Sequence, residues 1–172
     1  MNGQTVADET IQTLLEAADW APTHGHTEPW RFIVYRHAAM QDFCAAHAEL
    51  YKQITPAEKF IPATYEKLQK QGELASHLVI TYMKRGDNPK IPELEEICAT
   101  ACAIQNFLLA AEAEDLAVIW STGGLTYNPA LKTMLGLTDT DQVLGLLYVG
   151  QTSEPKKQGR RTVPLAQKAV WK

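Results

Sequence analysis

Ala17-Ala18-Asp19-Trp20-Ala21-Pro22-Thr23-His24-Gly25-His26-Thr27-Glu28-Pro29-Trp30-Arg31-Phe32-Ile33-Val34-Tyr35 changes character twice within a short span. Upstream of it, Ile11, Leu14, Leu15 and Ala18 keep helical spacing. Pro22 stops that helix, because proline supplies no backbone donor and restricts Ala21 before it. The loop Thr23 to Glu28 carries two histidines, one glycine and no large apolar side chain. Pro29 restarts the chain as a strand, with Trp30, Phe32 and Val34 on one face and Arg31, Ile33 and Tyr35 on the other. A short polar loop between a helix end and an aromatic strand can bring backbone amides close to a flat, polar-edged ligand. Gly25 has no side chain to block the approach.

Working outward, Asp8 to Trp20 reads as an amphipathic helix with Asp8 as N-cap. Helices are expected over Ala38 to Leu50 and Pro56 to Lys70, the second carrying charge on most faces and forming a peripheral cover over a site. His77 to Lys84 is an apolar run expected of a strand covered on both faces. Pro92 to Leu116 is the most hydrophobic helix. Ile97, Ala101, Ile104, Leu108 and Ala111 line one face, and Ala99, Cys102, Ala103, Phe107 and Ala110 widen it. Such a helix is either the centre of a monomer or shared with a second subunit. Ala117 to Trp120 is read as a short buried strand ending in Ser121-Thr122-Gly123-Gly124. Asn128 caps a short helix with Pro129 in its first turn. Val143 to Val149 is another buried strand, and the tail from Gln151 is polar and basic before Pro164-Leu165 and Val170-Trp171. Helices interleaved among about four strands predict one domain with an α/β or α+β layered sheet.

Composition fits this picture: 172 residues, 45% hydrophobic and 21% charged. A net charge of -4 gives no electrostatic basis for holding nucleic acid or an anionic membrane. No apolar run is read as approaching bilayer length, and Met1 to Thr10 is polar without an apolar signal core, so a cytoplasmic location is expected. The three cysteines, Cys44, Cys98 and Cys102, argue against a disulfide framework; the last two are expected to be small buried apolar residues.

Several chemistries lack their motif. There is no Gly-x-Gly-x-x-Gly unit, no phosphate-cradling Gly-x-x-x-x-Gly-Lys loop and no Gly-x-Ser-x-Gly elbow. His24, His26, Cys44 and His47 fit no standard zinc spacing, and no metal is expected; a metal-dependent hydrolase using His24, His26 and His47 would require one. What remains suits a redox enzyme whose cofactor brings the chemistry while the protein binds and orients it. Exposed amides and hydroxyls of Trp120-Ser121-Thr122-Gly123-Gly124 suit a polar ring edge. Arg160 and Arg161, with Lys156 and Lys157 just before, suit a phosphate monoester; a solvated basic tail is the alternative.

Trp20-Ala21-Pro22-Thr23-His24 followed by Glu28-Pro29-Trp30-Arg31-Phe32 closely resembles the signature loop of the nitroreductase-like flavoproteins, in their short bacterial branch. The resemblance implies an α+β fold, a layered sheet of about four to five strands surrounded by helices, and an FMN-dependent oxidoreductase working as an intertwined homodimer. It implies that Pro22, Thr23 and His24 pack beside the flavin of the partner subunit. It places Trp120, Ser121, Thr122 and Gly123 beside the reactive flavin N5, and Arg160 and Arg161 at the FMN phosphate. The tail over residues 151–172 then docks on the partner. By the same resemblance, NAD(P)H passes hydride through FMN to a planar acceptor such as a nitroaromatic or quinone, and no protein side chain transfers a proton. One departure stands out. The family opens with a further helix bearing an Arg-Arg-Ser motif that grips FMN, whereas Met1-Asn2-Gly3-Gln4-Thr5-Val6 already lies near the family's second helix. A flavin-binding member without turnover is therefore the competing expectation.

Overall fold

The computed structural model describes residues 1–155 and 158–172. Four strands form one antiparallel sheet: β1 (Trp30–Arg36), β2 (His77–Met83), β3 (Ala117–Ser121) and β4 (Gln142–Gly150), in the order β1-β2-β4-β3. Helices α1 (Asp8–Asp19) and α4 (Glu93–Ala113) cover one face; α2 (His37–Ile54), α3 (Pro62–Lys70) and α5 (Pro129–Met134) cover the other. The architecture is α+β, with helices on both sides of an all-antiparallel sheet.

Strand alternation divides the core in two. Trp30, Val79, Met83, Leu147 and Val149 pack with Leu14, Ala103, Ile104 and Phe107 of α1 and α4. Leu78, Ile80, Leu146 and Tyr148 pack with Phe43, Cys44, Ala48 and Leu68 of α2 and α3. β1 starts at Trp30 as expected, and Trp30 and Phe32 enter one cluster while Ile33 and Tyr35 enter the other, as its alternation predicts.

Other bounds differ for physical reasons. Asp8 does not cap α1; Ala7 holds the N-cap position, and the Asp8 carboxylate instead meets His77 and Arg36 across the sheet edge. α2 runs four residues past Leu50, to Ile54, because Tyr51 is buried and its hydroxyl accepts from the Ile61 backbone N–H at 3.1 Å. That bond holds Phe60 and Ile61 extended. The expected Pro56–Lys70 helix is therefore a 3₁₀ turn at Ala57–Lys59 followed by α3, with Pro62 in its first turn.

β3 is not a buried strand. It lies at the sheet edge with Ile119 and Trp120 exposed. The cysteine reading also needs correction: Cys44 is buried, but Cys98 is exposed and Cys102 only half-buried. At 21 residues, α4 does reach the length and apolar composition needed to cross a bilayer, contrary to expectation. Here it lies across the sheet, with three glutamates in its first turn and Ala99, Ala103, Ile104, Phe107 and Ala111 in the core.

Candidate functional site

The signature loop is braced from both ends. Trp30 Nε1 donates to Asp19 Oδ1 at 2.8 Å, tying the end of α1 to the start of β1. Arg31 Nη1 donates to the Glu28 and Trp30 carbonyls, each at 2.7 Å. The Thr23 hydroxyl lies 3.1 Å from that of Thr27 and accepts from the Glu28 N–H at 3.2 Å. His24 Nδ1 is paired with Glu95 on α4. Between these braces, His24–His26 forms a single 3₁₀ turn. Gly25, His26 and Glu28 all have positive φ, at 60°, 53° and 43°. Two non-glycine residues in the left-handed region mark a loop whose shape is imposed by its surroundings, as happens at ligand sites.

Pro22, Thr23 and His24 line an open hollow of about 450 Å³ whose other wall is α4, through Leu94, Glu95, Cys98 and Cys102. The hollow is shallow and mostly apolar, apart from the His24–Glu95 pair. A second ion pair fixes the neighbouring loop. The Glu96 carboxylate is fully buried, meets the Arg85 guanidinium and accepts from the Gly86 N–H. Arg85 Nη2 also donates to the Ile91 carbonyl at 2.7 Å, which holds residues 85–91 against α4.

At the opposite edge of the sheet, Trp120 lies over Gly145. A Cβ at Gly145 would come 2.1 Å from Trp120 Nε1, so only glycine fits there. That Nε1 donates to the Leu144 carbonyl at 3.0 Å. Leu144 is the extra residue where the β2–β4 register slips, which turns its carbonyl out of the ladder. The indole N–H is thus committed, leaving ring edge and backbone for a ligand. Past Trp120, Ser121 is half-buried and Thr122, Gly123 and Gly124 are exposed.

Ser121, Gly123 and Gly124 border a more enclosed cavity of about 140 Å³. α3 forms one side of it through Thr64, Lys67 and Leu68, as the expected cover helix should, and His47 and Leu146 are also in its lining. Gln71 Nε2 donates to Ser121 Oγ at 3.3 Å. His47, Thr64, Lys67, Leu68 and Gln71 line this candidate cavity and were not expected there from the sequence. Nothing local marks them, because they reach this cavity from α2 and α3 by chain reversal. Histidine 47 belonged to the unsupported metal set; among the described residues no three His, Cys, Asp or Glu side chains are grouped to hold a metal.

Within one chain the two regions stay apart: the Pro22–His24 hollow and the Ser121–Gly124 cavity share no lining residue. Arg160 and Arg161 lie in a tail exposed at every described residue from Thr152 onward, and Arg161 Nη1 donates to the Arg160 carbonyl at 3.0 Å. Lys156 and Lys157 lie outside the described residues.

The family model for the Nitroreductase family matches residues 2–151, spanning the braced loop and the whole sheet. The chain belongs to the nitroreductase family. Among curated proteins it is 28% identical over 142 residues to "Putative NAD(P)H nitroreductase YdjA" of Escherichia coli K12, covering 83% of this chain and 75% of that one. It is 27% identical over 164 residues to "Putative NAD(P)H nitroreductase YfhC" of Bacillus subtilis, covering 92% and 81%. A nitroreductase-like family protein from Bacillus cereus superposes with a TM-score of 0.85 at 26% identity, over 99% of this chain and 88% of that one. A protein described as "a putative nitroreductase in complex with fmn", from Desulfovibrio desulfuricans, gives 0.72 at 26%, over 98% and 87%.

Proposed function

We propose that this nitroreductase-family chain is an FMN-dependent NAD(P)H oxidoreductase, acting as a homodimer on small planar acceptors such as nitroaromatics or quinones, in the cytoplasm. The observation that carries the reading is the presence of two prepared but separate half-sites, the braced Pro22–His24 segment, followed by positive-φ residues at Gly25, His26 and Glu28, and the Ser121–Gly124 turn. A two-fold assembly unites halves that one chain keeps apart.

The residues present fit a flavin. The cavity beside Ser121 has apolar walls, exposed glycine backbone and a polar side chain buried at its lining, and nothing stands within 4 Å of a Cβ placed on Gly123. Bound there, FMN would supply two-electron transfer between NAD(P)H and the acceptor. Ser121, already accepting from Gln71, keeps its own hydroxyl proton to donate to a ring edge. The Thr122 and Gly123 amides give further donors, and the Trp120 ring borders the same turn. Thr23 and His24 are held by Thr27, Glu28 and Glu95, so Pro22-Thr23-His24 presents a pre-set surface to a neighbouring subunit's flavin. Arg160 and Arg161 are free to pair with a phosphate monoester once the tail over residues 151–172 lies on the partner.

The test is direct. Purified protein is mixed with FMN, and its melting temperature and NADH or NADPH oxidation are followed with a nitro compound or a quinone. FMN at a hundred times its Kd should stabilise the fold by about 2.7 kcal/mol, and turnover should depend on flavin. Binding without pyridine-nucleotide oxidation would leave a flavin-binding protein without turnover. An unchanged melting temperature at saturating FMN would end the flavin reading.

A further inference from the structure

His47 rises from the middle of α2 with 2% of its surface exposed. Among the described residues neither of its ring nitrogens has a hydrogen-bond partner. Its ring lies tilted against Phe43, with centroids 5.6 Å apart, so packing sets its position. Burial lowers its pKa to about 4, which keeps the imidazole neutral in ordinary buffers. A neutral imidazole offers one donor and one acceptor. Buried polar atoms are nearly always paired, so two unpaired nitrogens in one side chain point to a partner from outside the chain.

That partner has a place. His47 lines the 140 Å³ cavity bordered by Ser121 and Gly123. The volume is close to the roughly 150 Å³ of an engineered apolar cavity that accepts a benzene ring. Leu68 and Leu146 supply apolar wall, and Thr64, Lys67 and the Gln71–Ser121 pair supply a polar one. The combination suits a conjugated ring with a hydrogen-bonding edge. The other buried histidine, His77, is already bonded at both nitrogens and has nothing left to offer.

We infer that His47 is a positioning residue that hydrogen-bonds the imide edge of a conjugated heterocycle seated in this cavity, the pyrimidine end of a flavin. The inference rests on the flavin reading above and adds the residue that fixes the ring. The geometry is self-consistent: in a flavin the C4 carbonyl of the imide stands beside N5, so one ring can meet His47 and the Ser121–Gly123 turn together. The two nitrogens of an imidazole point in divergent directions, so one of them meets the imide edge, donating to its carbonyl or accepting from its N–H, and the ring's lack of charge leaves the flavin's own charge state to be set by other groups.

The test uses full-length protein with ¹⁵N-labelled histidine, the His47 ring resonances being assigned by their loss in His47→Gln. FMN and then riboflavin, which lacks the phosphate, are titrated in. Both should shift the His47 nitrogens. His47→Phe, which roughly keeps the volume and loses the bond to the imide, should weaken FMN about tenfold, the worth of one good hydrogen bond. His47→Gln, which keeps a donor and an acceptor, should stay within about threefold of wild type. Should His47→Phe not fold, as judged by its near-UV circular dichroism, the wild-type resonances and His47→Gln decide. Wild type that binds FMN with unmoved His47 resonances overturns this inference alone. Wild type that binds no FMN overturns it together with the flavin reading.

Discussion

Two histidines with nearly the same burial have opposite surroundings. His77 sits in a continuous chain of bonds: the Val6 N–H donates to Ser76 Oγ at 2.7 Å, Ser76 Oγ lies 3.0 Å from His77 Nδ1, and His77 Nε2 lies 3.0 Å from Asp8 Oδ1. The order Ser-His-Asp resembles a hydrolase triad, but Ser76 is buried and holds the Val6 backbone instead of facing a hollow. The chain pins the N-terminal segment to β2. His47 has no such partners. Its depressed pKa means the unfolded chain binds a proton that the fold resists, so its stabilising effect is full above about pH 6.5 and is lost as pH falls toward about 4. The stability of wild type minus that of His47→Phe, from urea unfolding without flavin, should therefore fall by roughly 3 kcal/mol between those limits. A difference that is flat with pH would mean that the imidazole is not held neutral by burial. Burial lowers the His77 pKa too, with help from His37 and Arg36, but that contribution is common to both proteins and cancels.

At the scale of elements, the β3–β4 pair shapes the turn that carries the candidate ligand groups. Its register brings the Trp120 indole against Gly145, and the bulge at Leu144 supplies the carbonyl that fixes the indole. Gly145→Ala puts a methyl group into the indole ring. We expect the Trp120–Leu144 bond to break and the fold to lose about 1–3 kcal/mol, as in other overpacked cores. FMN affinity should drop as the Ser121–Gly124 turn shifts. Urea unfolding and flavin titration check both; an unchanged unfolding midpoint would show that the ring does not sit on Gly145. α5 is a quieter example of local control. Asn128 accepts from the Ala130 N–H at 2.9 Å, as its sequence position predicts, and thereby starts the helix that buries Leu131.

Across the whole molecule, apolar side chains are left exposed in several places, α4 and the tail among them. α4 exposes Leu94 and Leu109, at 69% and 60%, on the side away from the sheet, and the tail exposes Leu165, Val170 and Trp171. Large apolar side chains grouped on one helix face mark an association surface more often than chance exposure. On the proposed homodimer, Leu109→Glu should bury a charge in an apolar interface and shift the protein toward monomer, raising the dimer Kd at least about tenfold. Sedimentation velocity at several concentrations measures this. A wild type that is already monomeric at every concentration would remove the dimer from the proposal.

Where signals were local, the sequence determined the outcome by itself. Pro29 and the alternation after it defined the start of β1, Asn128-Pro129 defined the start of α5, and the Trp20–Phe32 pattern carried the family. Each depends on propensity, steric restriction or period within a short window. Tertiary structure alone placed β3 at the sheet edge, recruited Asp8 to His77, split the Pro56–Lys70 segment and brought His47 and Gln71 to Ser121. Those contacts join residues that are far apart along the chain, and the free energy that selects them comes from packing both faces of the sheet at once. No short window of residues contains that information.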